Sequence, residues 1–303
     1  FDRVVFFFNA LCAALLLFSY TLPHAFPERF PMLSVLGLTL PVFMILNLAF
    51  LIYWLARLRR QGLLSLLVLL IGYSHIASFY KFSGNDTIEK VPGSVSVMTY
   101  NVRLFNAYRW IDDDSVAENI VALINNASPD ILCIQEFHLD KAPAFSRYPY
   151  QYIASKNPGQ KNGQAVFSRF PIVNKGSLEF PHTGNNAIYV DVVKGKDTVR
   201  VYNLHLESLR IHPEREELTR EGPERLYKRL STAFSAQQQQ VAIVAAHKEK
   251  CRYKKIICGD FNNTPYSNVY RRLKKDMNDT FKEAGRGFGR TFNFSYFPIR
   301  IDF

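Results

Sequence analysis

The chain is short of cysteine and tryptophan, and its first 80 residues are short of charge. Its four cysteines, Cys12, Cys133, Cys251 and Cys258, show neither zinc-ligand spacing nor a paired framework. That excludes a disulfide-stapled or zinc-ribbon fold and leaves four free thiols. No internal repeat is present, which excludes solenoids and propellers. No stretch interleaves aromatic and basic residues in the manner of a nucleic-acid-binding motif. His138, His182, His212 and His247 have no motif around them and read as surface residues. Residues 1–80 hold only five of the 37 Lys and Arg and two of the 26 Asp and Glu. The formal charge of +11 is therefore carried mostly by residues 81–303. It suits a polyanionic partner or an anionic membrane surface, and a basic solvated surface accounts for it equally well.

Where charge is missing, long apolar runs take its place. Residues 4–22, 32–56 and 62–80 are uncharged, and each is long enough to cross a hydrocarbon core of about 30 Å as a helix. Pro41 falls inside the second run and is tolerable in a membrane helix. The first run could instead be a signal peptide, but no small-residue cleavage site follows it. The expectation is three transmembrane helices, with buried helices of a soluble domain as the alternative. Arg57, Arg59 and Arg60 lie between the second and third, whereas the first loop carries only Glu28 and Arg29. The positive-inside rule puts the Arg cluster in the cytoplasm and everything after Tyr80 outside it, in the periplasm of a double-membrane bacterium.

The organisation expected is a membrane anchor over 1–80, a polar linker over 81–94 and an α/β domain over 95–303. In the last, residues 95–102, 131–134, 150–155, 164–168, 187–193 and 199–206 read as strands. Residues 115–126 have helical spacing at Val116, Ile120, Leu123 and Ile124. Pro223 opens a long helix reaching about Lys250, a short helix comes next at 268–273, and 291–303 reads as the last strands.

The chemistry concentrates at strand ends. Ile256-Ile257-Cys258 forms a short buried strand that ends at Gly259, followed by Asp260 and Asn262. In extended chain, residues two apart face one side, so a carboxylate and an amide would point into one site. The pair suits phosphoester hydrolysis: one group takes a proton from water and the other donates to a phosphate oxygen. An Asx-rich turn accounts for the same residues without chemistry. Other strands end in Asn101, Glu136 and His205. Such an oxygen-rich set suits Mg²⁺ or Mn²⁺ better than zinc.

Thr99-Tyr100-Asn101, Ile134-Gln135-Glu136, Leu204-His205-Leu206-Glu207-Ser208 and Gly259-Asp260-Phe261-Asn262 come in an order that resembles the endonuclease/exonuclease/phosphatase superfamily. Phe167-Ser168-Arg169-Phe170-Pro171-Ile172 resembles a further segment of it. The resemblance covers about 95–303. It implies a four-layer α/β sandwich of two packed, mostly antiparallel sheets with helices outside. It also implies roles. Glu136 holds the divalent metal, with Asn101 beside it at the metal or the substrate phosphate. His205 polarises the scissile phosphate, Asp260 deprotonates the attacking water, and Asn262 stabilises the transition state and binds substrate. Asp302, in Arg300-Ile301-Asp302-Phe303, resembles the residue that orients a final histidine. That histidine belongs to a Ser-Asp-His motif, and the expectation is a longer chain that carries it. The reading is a membrane-anchored, metal-dependent phosphoesterase; the alternative is a membrane-tethered binding protein with a degenerate domain. Nucleic acid, a lipid head group and a phosphorylated metabolite remain open as substrates, and no obligate protein partner is evident.

Overall fold

The computed structural model describes residues 1–24, 31–82, 84, 91, 93–157, 159–210, 222–292 and 298–303. Most of the expected linker, the loop with Glu28 and Arg29, and His212 lie outside the described residues. The chain forms two compact units. One comprises Phe1–Ile88, Leu209–Gln238 and Asn263–Arg300; the other comprises Glu89–Ser208, Gln239–Asn262 and Ile301–Phe303.

The first unit is helical: α1 (Asp2–Thr21), α2 (Pro31–Gly37), α3 (Leu40–Ala56), α4 (Gly62–Ile71) and α5 (Tyr73–Phe79). Among the described residues, only the stretch Asp2–His24 is a single helix long and apolar enough to cross a membrane. The second apolar run is not one helix. It breaks at Leu38 and Thr39, and Pro41 falls in the first turn of α3, where a missing N–H costs nothing. The third run is bent by 74° at Gly72. A side chain on Gly72 would collide with the Tyr20 ring, so glycine both allows that approach and weakens the helix there. Ala13, Leu16, Leu40, Met44, Val68 and Tyr266 form the core of this unit.

The second unit contains two four-stranded sheets. The first is ordered β2-β3-β5-β4, from Val97–Asn101, Ile131–His138, Asn162–Ser168 and Tyr150–Ala154. The second is ordered β6-β7-β8-β9, from Ile172–Glu179, Asn186–Lys194, Asp197–His205 and Lys254–Asp260. (β1 is Tyr80–Lys81 of the helical unit.) Four of the six pairings are antiparallel; β2 with β3 and β8 with β9 are parallel. Period-two alternation in β3 drives the layering. Ile131 and Cys133 pack with Val166, Ile188, Val190, Val201 and Cys258 between the sheets. Leu132 and Ile134 pack outward on Ile120 and Ile124 of α6 (Val116–Ala127). On the far face, His247 of α7 (Pro223–Lys250) packs on Tyr189 and donates to or accepts from the Tyr202 hydroxyl at 3.0 Å.

β6 was not legible as a strand. None of its residues is buried and it contains Asn174, Lys175 and Gly176, so it carries no clear alternation. At the other end, residues 291–303 give bridges at Phe292–Ile299 and Asp260–Asp302, not the regular strands expected, among the described residues.

Candidate active site

The two parallel pairings put four carboxyl-terminal strand ends on the same side of the sandwich. Asn101 is the register partner of Gln135, next to Glu136, and His205 is the partner of Asp260. Behind them the sheets are strapped by buried amides. Asn203 donates to the carbonyls of Ile134 (3.0 Å) and Ala165 (3.2 Å), and Gln135 donates to the Asn203 side chain and to Thr99 Oγ1. Neither role was read from the sequence. The available signal was an amide inside an otherwise apolar buried strand.

Glu136 owes its direction to a break in the ladder. The β3–β5 register shifts between Ile134 and Phe137, and Glu136 has φ +52°. A bulge of this kind re-aims a side chain that strict alternation would turn elsewhere. Asn101 Nδ2 then donates to Glu136 Oε1 at 3.2 Å and to Asp260 Oδ2 at 3.1 Å. Its Oδ1 accepts from the Arg103 backbone N–H at 3.0 Å, which fixes which end of the amide faces the carboxylates. His205 Nε2 lies 3.8 Å from Glu136 Oε1.

Asp260 and Asn262 come together for a different reason from the extended-chain alternation expected. β9 ends at Asp260, and Asn262 has φ +48°. The Asn262 backbone N–H donates to Asp260 Oδ1 at 2.8 Å, so the two form an Asx turn. The turn and the site are one structure. Asn262 Nδ2 donates to the Leu206 carbonyl at 3.0 Å, which also accepts from Asn185 Nδ2 at 2.9 Å. Asn185 is a further residue the sequence reading missed. Gly259, at φ +128°, allows β9 to lie against Leu204; any side chain there would meet the Leu204 backbone. Asp302 bridges to Asp260 across Gly259–Phe303 hydrogen bonds of 3.0 and 3.1 Å.

The electrostatics separate the groups. Burial, with Glu136 adding to it, pushes the Asp260 carboxyl up to about 6, against the opposing hydrogen bonds from Asn262 and Asn101. Burial pushes the His205 imidazole below its ordinary value, against the pull of Glu136, Asp302 and Glu207. A carboxylate poised nearer neutrality than usual beside a neutral imidazole can take a proton from water.

Two histidines expected at the surface are not there. His138 is buried and its Nδ1 accepts from the backbone N–H groups of Asp140 and Lys141 at 3.2 Å each, capping the turn after β3. His247 is half-buried against Tyr189 and Tyr202. His182 is exposed. All four cysteines are free thiols, as expected.

The solved structures to which the chain is similar include three of known source. One is an endonuclease/exonuclease/phosphatase from Beutenbergia cavernae DSM 12333 (22% identity, 62% of this chain and 55% of that one, TM-score 0.44). Another is sphingomyelinase C from Streptomyces griseocarneus (20%, 60% and 69%, 0.44). The third is D. rerio TDP2 complexed with a single-strand DNA product (15%, 58% and 64%, 0.41). The chain spans less than two thirds of the first and third of these. No curated protein matches it. A family described as a domain of unknown function matches residues 2–79. A second family matches residues 98–303, more than half of the chain and the whole of the strand-end constellation. By that match the chain belongs to the Endonuclease/Exonuclease/phosphatase family.

Proposed function

We propose that the protein is a membrane-anchored, metal-dependent phosphoesterase that hydrolyses a phosphodiester or phosphomonoester by in-line attack of water. The observation that carries this reading is Asp260: a buried carboxylate, raised to about 6, held between the Asn101 amide and the Asn262 backbone and facing Glu136 and His205. In its ionised form Asp260 accepts a proton from the attacking water. Neutral His205 donates to a phosphoryl oxygen, and the amide of Asn262 donates where charge builds in the transition state. Asp302 is assigned as a positioning residue near His205.

Members of the family generally depend on a divalent metal, and the donor set fits one. Two carboxylates, Glu136 and Asp260, converge on a single amide nitrogen, and each oxygen would gain from a cation in place of its like-charged neighbour. The described residues contain no group of three or more Asp, Glu, His or Cys around one point. Mg²⁺ and Mn²⁺ take one or two carboxylates and complete their shell with water and substrate phosphate. Glu136 would hold the ion, with Asn101 beside it; bound there, it would neutralise charge on the phosphoryl oxygens. The full-length protein should therefore lose hydrolysis of chromogenic phosphodiester and phosphomonoester substrates in chelator and recover it with Mg²⁺ or Mn²⁺. Glu136→Gln keeps the shape and removes the ligand charge, so it should need much more metal for half-maximal rate; an unchanged requirement removes Glu136 from the metal site.

Membrane anchoring by α1, α3 and α4–α5 together draws support from an inside-out packing. Asn9, Asn47 and Ser65 are 0% exposed, while Ile52 and Leu67 are 59% and 58% exposed. Trp54 Nε1 donates to Asn9 Oδ1 (2.9 Å), Asn9 Nδ2 to Ser65 Oγ (2.6 Å) and Ser65 Oγ to Asn47 Oδ1 (3.3 Å). Polar contacts inside and aliphatic side chains outside suit helices whose solvent is lipid. The cluster of Arg57, Arg59 and Arg60 favours the cytoplasm for that end and the extracytoplasmic side for the phosphoesterase stretch. Alkaline phosphatase fused after Lys90 should be active; an inactive fusion, with a cytoplasmic reporter active at the same point, reverses the orientation.

A further inference from the structure

We propose that the helical unit carries, at the end marked by Tyr20 and Pro23, a surface that docks on the headgroup layer of an anionic phospholipid bilayer. This rests on the proposed membrane anchoring. α1 has 20 residues, which at 1.5 Å per residue spans about 30 Å, the thickness of a hydrocarbon core. One end is marked by Asp2, which pairs with Arg57 at 3.4 Å and Arg59 at 3.8 Å. The other end gathers segments from distant parts of the chain.

Two of these segments come from within the phosphoesterase-family stretch. The Pro23 carbonyl accepts from Asn268 Nδ2 at 2.9 Å and from Arg271 Nε at 3.1 Å, which fastens the helix α8 (Asn268–Lys274) there. Val269, Tyr270 and Leu273 turn inward and are buried. Arg271, Arg272 and Lys274 are left exposed or half-buried, and none of the three pairs with a carboxylate among the described residues. At the same end, Tyr20 stacks on His75 of α5 at 4.8 Å, and α5 leads into β1. β1 pairs antiparallel with β10 (Gly287–Phe288), Tyr80 opposite Phe288.

This pairing brings four rings together. Phe288 lies 5.2 Å from Phe79 and 4.8 Å from Tyr80, and Tyr80 lies 4.8 Å from Phe82. Phe82 is 81% exposed and Phe288 53%. Clustered aromatic rings facing water mark an interaction surface. Through α5, whose His75 stacks on Tyr20, these rings join the end of α1 that the proposed anchoring puts where a bilayer gives way to headgroups. Aromatic rings and the cations of α8, both gathered at the Tyr20–Pro23 end of α1, match that layer in hydrophobicity and charge. Asp276 and Glu283 are the exposed acids nearby in sequence, against Arg271, Arg272 and Lys274. The occupant is thus the phosphate layer of an anionic leaflet, and a part of the family stretch lies in it.

The test uses the full-length protein in phosphatidylglycerol vesicles with a Cys12→Ser change, since the other native thiols are buried. An environment-sensitive fluorophore is attached to Phe288→Cys and, separately, to Phe82→Cys and Leu67→Cys. All three labels should be quenched by lipid-borne nitroxide and protected from aqueous iodide, with the labels at 82 and 288 quenched best by nitroxide near the headgroup. Replacing Arg271, Arg272 and Lys274 by Gln should move the 82 and 288 labels toward iodide and leave the Leu67→Cys label unchanged. Iodide access at 82 and 288 with lipid quenching at 67 overturns the docking surface and leaves the membrane reading standing. Iodide access at all three overturns both. A triple Gln variant with unchanged quenching removes the basic residues from the surface. The labels at 82 and 288 report independently, so misfolding of one variant does not remove the test.

Discussion

A full-length Asp260→Asn protein is expected to fold and to lose roughly a hundred- to ten-thousand-fold in kcat, the contribution typical of a positioned general base. The substitution keeps the acceptor for the Asn262 N–H and sets an amide nitrogen against Asn101 Nδ2. One hydrogen bond of about 0.5–1.5 kcal/mol is lost. Against that, a carboxylate that burial and Glu136 both disfavour is removed. Stability should therefore change little while the rate collapses. The acid limb of kcat/KM should lie near or below pH 6, because the base works ionised and its value is raised to about 6; a bound cation moves the limb down. Asn101→Ala removes a hydrogen bond to the ionised form and should move the limb up. Glu136→Gln removes a like charge and should move it down. The same raised value means that protonated Asp260 adds stability most fully below the ordinary carboxylate range. That addition is lost as pH rises through about 6. Full activity in a folded Asp260→Asn protein would show that another group takes the proton.

The sequence carried the strand ends well because each strand there is a buried apolar run that stops at a polar residue. Ile131-Leu132-Cys133-Ile134 and Ile256-Ile257-Cys258 could be read directly, and with them the neighbourhood of Glu136 and Asp260. Convergence was not local information. Asn101 meets Glu136 and Asp260 because β2 pairs parallel with β3 and β8 with β9, and those pairings join residues far apart in sequence, as Asn101 with Gln135 and His205 with Asp260. The bulge that turns Glu136 inward leaves no mark in Ile134-Gln135-Glu136 itself. Asn203 and Asn185 were passed over because an amide in a strand or turn reads the same whether it straps two sheets or faces water.

The same limit applies to the helices. Hydropathy found three uncharged runs, but it sums over a window and does not see a single Gly72 placed against Tyr20. Pro41 read as a tolerated interior proline; the chain instead starts α3 there. Tyr266 sits in a turn after Asn262 in sequence, and its burial among Ala13, Leu16, Leu40, Met44 and Val68 comes from tertiary packing alone. Patterns of two and 3.6 residues report which face is apolar; they do not report which other segment covers it.

Asn262→Ala is expected to lower kcat by roughly a hundred- to a thousand-fold, or about 2.7–4 kcal/mol, the cost of losing one donor aimed at the transition state. The effect should fall on kcat far more than on substrate binding, because the donor acts where charge develops. Alanine also raises a second issue. Asn262 holds φ +48°, a conformation that Asn adopts readily and Ala adopts at a cost of about 1–2 kcal/mol. Its amide also donates to Leu206, so the loss of rate could come from a displaced turn. Asn262→Gly separates the two: it accepts the left-handed backbone and keeps the N–H that donates to Asp260 Oδ1, but has no amide. If the amide acts on the phosphate, the Gly variant should be as slow as the Ala variant and recover part of its stability. If the Gly variant instead recovers the wild-type rate, Asn262 serves to turn the chain so that its backbone can hold Asp260, and the transition-state donor is another group.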